Sequence, residues 1–220
     1  MAHKAEDFFI FAIPTLNSMV DFYSVGVLHD IHAYMQKSKI AISSDKFGVL
    51  QARSHILEMI KENFDKYGIE YGEYIRMLWV DSDIRINETA QTLAEKFKIA
   101  DEKGLNLIAN YKNTWTNGGF INVLSKTNDK GTYTTLTDDE LNSLQDMQEL
   151  PQGWVGGLGF YYGLVPIDYR FHFERYDKGD GKVHEFGEDI AFFRDMYRRS
   201  PDYRLTYLKI NLAHKKEVFI

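Results

Sequence analysis

An apolar run that ends abruptly at two acids constrains the fold of this chain more than any other stretch. Residues Ile75 to Val80 are mostly apolar, and Asp81, Ser82 and Asp83 follow them directly. A run of this length is short for a helix and typical of a buried central strand, which places the acids at a sheet edge. Because side chains alternate along an extended chain, Asp81 and Asp83 are predicted to face one common point.

Two interpretations of this acid pair are open. Ligand crevices of open α/β sheets lie at the carboxyl ends of strands, where a divalent cation can bridge carboxylates to a diphosphate. Alternatively, Asp81, Ser82 and Asp83 form only a polar turn. The position directly after a mostly apolar strand favours the cation site.

The first half of the chain alternates between strand and helix patterns. Short apolar runs predict the strands, and apolar residues at helical spacing predict the helices between them. The alternating order predicts a mostly parallel central sheet with helices on both faces and right-handed crossovers. The predicted elements are strand 8–13, helix 18–36, strand 39–43, helix 48–67 ended by Gly68, strand 75–80, a helix capped by Asn87 and ended by Gly104, and strand 105–109.

The second half has a different pattern and is predicted to contribute a small antiparallel addition. Strands are expected at 120–124 and 132–136, with Gly131 in the turn between them. Thr137 begins a capping-box sequence, which predicts a short helix to about residue 148.

Three later features carry candidate chemistry. Gly156 and Gly157 stand beside aromatic residues and permit close backbone approach, either by a ligand or by a packed neighbouring strand. Glu188 and Asp189 stand at a predicted helix N-terminus, where the helix dipole alone stabilises acids. His214 is predicted to end the last strand, which begins near residue 203.

Composition narrows the class of protein. With 44% hydrophobic residues over 220 positions, the chain is predicted to form one globular domain, 1–220. A formal charge of −6 without a basic run argues against nucleic-acid partners. The absence of cysteine excludes disulfides and thiolate catalysis. No apolar run is long enough to cross a bilayer and the start lacks a signal-peptide pattern, so we expect a cytoplasmic protein without a transmembrane segment.

Six short motifs also carry a family resemblance. In chain order they are Pro14-Thr15 after the first strand, Ala52-Arg53-Ser54, the segment from Leu78 to Ile84 with Asp81-Ser82-Asp83, the segment from Gly156 to Phe160, Gly187-Glu188-Asp189-Ile190, and the late His214. Together they resemble glycosyltransferases of the GT-A type, including small glycosyltransferase-like proteins of archaeal viruses and Golgi mannosyltransferases. The resemblance implies a GT-A fold and a metal-dependent transfer of sugar.

The resemblance also implies roles for the two halves. Residues 1–103 would bind the nucleotide-diphosphate sugar donor, a UDP- or GDP-sugar, and residues 104–220 would bind a carbohydrate or glycoprotein acceptor. Mn²⁺ or Mg²⁺ would be held by Asp81 and Asp83, with His214 as a third ligand. The donor-binding residues that it implies are Pro14, Thr15, Asn17, Arg53, Asp81, Ser82, Gly156 and Gly157.

Glycosyl transfer fits these residue types chemically. A hard cation needs oxygen ligands to neutralise a diphosphate leaving group. A carboxylate near the anomeric carbon or the acceptor hydroxyl assists the transfer, and Asp189, then Glu188, is the candidate. The sequence leaves the choice between inversion and retention open.

Two other functions stay open at this point. A sugar-phosphate nucleotidyltransferase would need a glycine-rich basic loop after the first strand, and Pro14 to Met19 contains neither glycine nor a basic residue. A non-catalytic carbohydrate-binding protein could use the aromatic second half and would not need the acids Asp81 and Asp83.

Overall fold

The computed structural model describes most of the chain as helices and strands. It describes residues 9–15, 22–35, 38–44, 48–114, 120–128, 131–177 and 181–214. The predicted donor residue Asn17 and the expected start of the first helix at Ser18 lie outside the described residues.

The described residues form helices and strands in alternation at first and mostly strands later. The helices are α1 Phe22–Tyr34, α2 Val49–Tyr67, α3 Ala90–Lys103, α4 Asp138–Ser143 and α5 Glu188–Arg199. The strands are β1 Phe9–Thr15, β2 Ser38–Ser44, β3 Tyr74–Val80, β4 Ile84–Ile86, β5 Asn106–Ile108, β6 Lys112–Thr114, β7 Phe120–Asn122, β8 Ser125–Thr127, β9 Tyr133–Thr135, β10 Gln148–Glu149, β11 Phe160–Pro166, β12 Glu174–Asp177, β13 Val183–Phe186, β14 Leu205–Tyr207 and β15 Leu212–His214.

The largest sheet among the described residues has seven strands in the order β10-β14-β5-β11-β3-β1-β2. Strands β2, β1 and β3 are parallel neighbours, and β5 is parallel to β14. Strand β11 runs antiparallel between β3 and β5, and β10 is antiparallel to β14 at one edge. The prediction of an α/β fold with a mostly parallel central sheet is therefore confirmed, with an antiparallel strand inside that sheet that the alternating pattern did not reveal.

Alternating side chains on the central strands bury both faces of this sheet. Ile10 and Trp79 belong to the core that includes the inward residues of α2 and α5. Phe11 and Leu78, which are adjacent in sequence to Ile10 and Trp79, belong to the core that includes α1 and α3. The prediction of helices on both faces is confirmed, and each fully buried large side chain contributes about 1.5–3 kcal/mol.

The helix boundaries follow the expected signals with two corrections. Gly68 and Gly104 end α2 and α3 in the left-handed conformation, with φ of 62° and 65°. Thr89, not Asn87, caps α3, because its hydroxyl accepts a hydrogen bond from the N–H of Thr92 at 3.2 Å. The capping box at Thr137 is present, but α4 ends at Ser143 and the chain near residue 148 pairs as β10 instead.

Strand pairing in the second half differs from the predicted hairpin. The partner of β9 is β8, with Gly131 in the turn between them, whereas β7 pairs with β6. The predicted strand at 120–124 is therefore present only as β7, at 120–122, and the strand that pairs with β9 is β8, at 125–127. The predicted last strand is likewise divided, because β14 joins the large sheet and β15 pairs antiparallel with β4.

None of the helices in the described residues combines the length and the apolar character that crossing a bilayer requires.

Candidate functional site

The candidate site lies at the edge of the sheet where β1, β3, β5 and β14 have their carboxyl ends. Asp81 follows β3 directly, as predicted, but the chain does not stay extended beyond it. The N–H of Ile84 bonds to the carbonyl of Asp81 at 3.0 Å, so residues 81–84 form a turn into β4. The expectation that Asp81 and Asp83 face one point was based on extended geometry and is wrong for this turn. The two side chains have different partners.

Asp81 belongs to a cluster of three carboxylates around the guanidinium of Arg53, which we call the Arg53 cluster. Nη2 of Arg53 donates to Oδ1 of Asp81 at 2.8 Å. Nη1 donates to Oε1 of Glu188 at 3.2 Å and also to Oδ1 of Asp189. Three segments that are distant in sequence thus meet at one cation, and all four residues are candidates identified from the sequence.

Arg53 is buried because it lies on the inward face of α2. This face includes Ala52, Ile56 and Leu57, whose spacing is that of one helical stripe. The Arg53 side chain is 1% exposed, and its guanidinium carbon lies 5.9 Å from the ring centre of Phe171. An ionised group at this depth is tolerated only when paired, and the three carboxylates supply that pairing. Arg53 therefore lies beneath the acids and holds them.

The Arg53 cluster carries more negative than positive charge. One guanidinium faces three carboxylates that are 20–28% exposed, which leaves a net charge of −2 when all three are ionised. Burial lowers the pKa of Arg53, but the charges of Asp81, Asp189 and Glu188 outweigh burial and hold that pKa above its usual value. The cluster is thus arranged to attract a further cation or a proton.

The pKa of Asp189 in the Arg53 cluster is raised above its usual value. Burial raises its pKa to about 6, the charges of Glu188 and Asp81 act in the same direction, and Arg53 opposes them. Gly187 is the N-cap residue of α5, and no side chain caps this helix. Asp189 is therefore turned toward Arg53 and is not the N-cap of α5.

Asp83 pairs with His214 on the other side of the turn. Oδ2 of Asp83 and Nε2 of His214 lie 3.0 Å apart, with the side chains 49% and 12% exposed. The pairing of β15 with β4 places His214 opposite Ile84, next to Asp83. Two of the three predicted metal ligands are therefore adjacent, and we call them the Asp83–His214 pair.

Tyr111 links the two groups and was not identified from the sequence. Its ring lies 5.9 Å from that of His214 with the planes 22° apart, and its hydroxyl accepts a hydrogen bond from the N–H of Gly159 at 3.2 Å. Burial together with the charges of Asp81 and Asp189 raises the pKa of Tyr111. Its position just after β5, at the same sheet edge as Asp81, is the sequence signal that would have indicated it.

The glycines in the segment from Gly156 to Phe160 make room for protein side chains. A Cβ at Gly157 would lie 2.4 Å from the hydroxyl oxygen of Tyr111, and one at Gly156 would lie 2.4 Å from Cδ1 of Ile108. Close packing by neighbouring side chains therefore accounts for both glycines. Their contact with a donor stays a prediction.

The other predicted donor residues lie at the same edge of the sheet. Pro14 is buried near the end of β1, and Thr15 is the last residue of that strand. The register that pairs Ala12 with Trp79 leaves the ends of β1 and β3 close to each other. Ser82 stands within the turn after β3 and is partly buried.

The residues present can supply part of a metal shell. Among the described residues, no three acid or histidine side chains are grouped closely enough to hold a metal ion by themselves. The Asp83–His214 pair, however, has its ligand atoms 3.0 Å apart. Neighbouring ligands of an octahedral ion bound at about 2.1 Å lie about 3 Å from each other. The pair therefore fits two positions around Mn²⁺ or Mg²⁺ and leaves the others for water and phosphate oxygens.

Comparison with known proteins adds no family to this description. No protein-family model matches the chain, and no curated protein matches it.

Proposed function

We propose that this protein is a metal-dependent glycosyltransferase of the GT-A type, which moves a sugar from a nucleotide-diphosphate sugar to an acceptor. One observation carries the proposal. Arg53, Asp81 and Asp189 come from three distant segments and meet within hydrogen-bond distance at the carboxyl edge of a mostly parallel sheet. Ligands of open α/β sheets bind at this edge.

The Asp83–His214 pair would hold Mn²⁺ or Mg²⁺, with Asp81 close by in the same turn. A bound divalent ion supplies positive charge to the departing diphosphate without a proton transfer. Small hard cations are often held by one or two protein ligands and complete their shells with water and substrate phosphates. Two adjacent protein ligands are therefore sufficient for this role.

Asp189 would act at the acceptor, with Glu188 beside it. Its carboxylate is 28% exposed, which leaves it accessible, and its pKa of about 6 makes it a stronger proton acceptor than an ordinary aspartate. In a single displacement, the acceptor oxygen bonds to the anomeric carbon and passes its proton to Asp189. The bond from that carbon to the diphosphate oxygen breaks, and its electron pair leaves with the diphosphate.

The resemblance implied that Arg53 binds the donor, but its side chain is 1% exposed, so it would position these carboxylates instead. Its two Nη atoms hold Asp81, which follows β3, and the two acids that begin α5 in one place, so the end of the sheet and the start of that helix stay in fixed relation. Fixed geometry of this kind is what lets a proton acceptor act at a reacting atom.

The proposal is tested by thermal unfolding with UDP-, GDP-, ADP- and dTDP-sugars, each with Mn²⁺ or with a chelator. A ligand at a hundred times its Kd stabilises the folded state by about 2.7 kcal/mol, which raises Tm by about 5–10 °C in a chain of this size. We expect such a rise for at least one donor with Mn²⁺ and none with chelator.

Two aspartate variants test whether the rise in Tm depends on the Asp83–His214 pair. Asp83→Asn should abolish the rise in Tm, whereas Asp30→Asn should not, because Asp30 belongs to an exposed His–Asp pair on α1. A rise that persists in chelator, or no rise with any donor, would contradict the proposal. Saccharide binding without any nucleotide effect would favour a carbohydrate-binding protein instead.

A further inference from the structure

A cavity of about 600 Å³ adjoins the candidate site and shares Tyr111 and His214 with it. It lies beyond the carboxyl ends of β5 and β14. Four asparagines contribute to its lining, so we call it the amide cavity: Asn110, Asn122, Asn142 and Asn211. Its volume falls within the range of about 300–1,000 Å³ that is usual for small-molecule sites.

Two of these asparagines are fixed by the fold. Nδ2 of Asn110 donates to Oδ1 of Asn122 at 3.1 Å, and Nδ2 of Asn122 donates to the carbonyl of Leu136 at 2.7 Å. The N–H of Leu124 in turn donates to Oδ1 of Asn110 at 3.2 Å. This wall of the cavity is therefore held in place before any ligand arrives.

The other two asparagines are available. Asn142 and Asn211 are exposed, and their side-chain amides make no hydrogen bond to another residue in the described part of the chain. Each amide offers two donor hydrogens and an acceptor oxygen. A hydroxyl group is likewise both donor and acceptor, so a ligand rich in hydroxyls matches these two amides better than a purely anionic or cationic one.

The charges on the lining compensate each other. Lys112 and Asp138 form an ion pair at 2.7 Å, and Nε2 of His214, which carries a charge only when protonated, lies 3.0 Å from Oδ2 of Asp83. A charged ligand would have to compete with these pairs and lose hydration without a dedicated partner. The cavity therefore favours a ligand without net charge.

Apolar surface completes the lining. Leu141, Ile210 and Leu212 contribute aliphatic groups, and Tyr207 contributes an aromatic ring. Such groups can cover the C–H faces of a sugar ring while the amides bind its hydroxyls. A mixture of this kind is suited to a ligand that has both polar edges and apolar faces.

We propose that the amide cavity binds a neutral saccharide, and that this saccharide is the acceptor of the transfer. The second part rests on the proposed function, whereas the first part rests on the lining alone. The shared walls Tyr111 and His214 place such a ligand next to the metal-ligand candidate Asp83.

Direct binding tests the first part without any donor. Methyl glycosides of glucose, galactose and mannose, with maltose and lactose, are titrated against the full chain and followed by NMR. Asn142→Leu and Asn211→Leu remove an amide and are expected to fold normally, because both side chains are exposed and unbonded within the described residues. Asn63→Leu on α2 is the matched control, at an exposed asparagine away from the cavity.

We expect at least one neutral saccharide to bind, with affinity about tenfold lower in Asn142→Leu or Asn211→Leu and unchanged in Asn63→Leu. A tenfold loss corresponds to about 1.4 kcal/mol, the scale of one hydrogen bond. Glucuronate should bind more weakly than the glucoside. Absence of binding by the whole panel, or equal affinity in all variants, would overturn the inference.

The outcome separates this inference from the proposed function. Saccharide binding that depends on Asn142 or Asn211, in a protein that ignores every nucleotide sugar, leaves the cavity assignment standing and removes the transferase. If nucleotide binding depends on metal but saccharide binding is the same in the variants as in the wild type, the proposed transferase stands and the cavity assignment is removed. If transfer is measured, the same variants should raise the KM for the acceptor while leaving the affinity for the donor unchanged.

Discussion

The Arg53 cluster and the Asp83–His214 pair lie on either side of one turn, yet they are built differently. In the Arg53 cluster, three carboxylates share a cation that the protein supplies and that is 1% exposed. In the pair, a carboxylate and an imidazole are brought together by strand pairing, and the acid is 49% exposed. The first group is held by its own positive charge, whereas the second consists of a carboxylate and an imidazole, which are side-chain types that can bind metal ions. Removing a residue from each should therefore have different consequences.

The largest effect is expected from Arg53→Leu. It leaves three carboxylates together without their cation, and loss of one partner from a buried ion pair destabilises a protein by about 3 kcal/mol or more. Urea unfolding would measure this loss. Arg175→Leu is the control, because Arg175 is 76% exposed in its pair with Glu185 and such pairs contribute about 1 kcal/mol or less. Equal losses in the two variants would mean that the cluster does not depend on its cation.

Asp189→Asn should reduce sugar transfer by roughly 100-fold and leave the affinity for the nucleotide sugar within about threefold, as expected for loss of a positioned proton acceptor. Steady-state kinetics with the donor identified by thermal unfolding would show this. Asp202→Asn, at an exposed site, is the control. Transfer within about threefold of wild type would assign Asp189 to structure and direct attention to Glu188.

His214→Ala should weaken Mn²⁺ binding by at least about tenfold, which is the lower end of what loss of even an outer-shell partner costs a metal site. Isothermal titration calorimetry with Mn²⁺ measures it. The stability of the variant should change little by comparison with Arg53→Leu. His29→Ala removes an exposed histidine that also pairs with an aspartate and serves as the control. Unchanged Mn²⁺ affinity in His214→Ala would exclude His214 as a ligand.

The last effect concerns pH and is specific to the Arg53 cluster. The pKa of Asp189 is about 6 in the folded protein against an ordinary value of 3.8, so the folded state binds this proton more tightly than the unfolded state. The resulting stabilisation is complete below pH about 4 and is lost as pH rises through about 6. Relative to Asp189→Asn, the wild type should lose up to about 3 kcal/mol across that window, because one pKa unit corresponds to about 1.4 kcal/mol. Parallel pH profiles of unfolding free energy for the two proteins would contradict this.

Local sequence patterns were enough to predict the parts of the fold whose signals lie within one element. The apolar run of β3, the glycine that ends α2, and the position of Glu188 and Asp189 at the start of α5 are all of this kind. The candidates Arg53, Asp81 and Asp189 were identified separately. Their meeting at one guanidinium could not be read from spacing, because it depends on the packing of α2 and α5 against the same sheet.

Features that depend on distant pairing or on a local turn were missed. The turn at 81–84 breaks the alternation from which the common direction of Asp81 and Asp83 was inferred. Tyr111 becomes part of the site only because β11 and its glycine segment pack against it. The division of the last predicted strand follows from the pairing of β15 with β4, more than 120 positions earlier in the chain.

Strand β11 also has a consequence for how the protein folds. Its register pairs Phe160 with Val80 and Pro166 with Tyr74, so β3 finds its second neighbour 80 to 92 positions later in the chain. Contacts of such long sequence separation close slowly, and an unpaired apolar strand edge is prone to associate with other chains. During synthesis, the edge of β3 stays open until residues 160–166 have been made. Fragments that end before β11 are therefore expected to aggregate, because the centre of the described sheet is completed only when the second half of the chain is present.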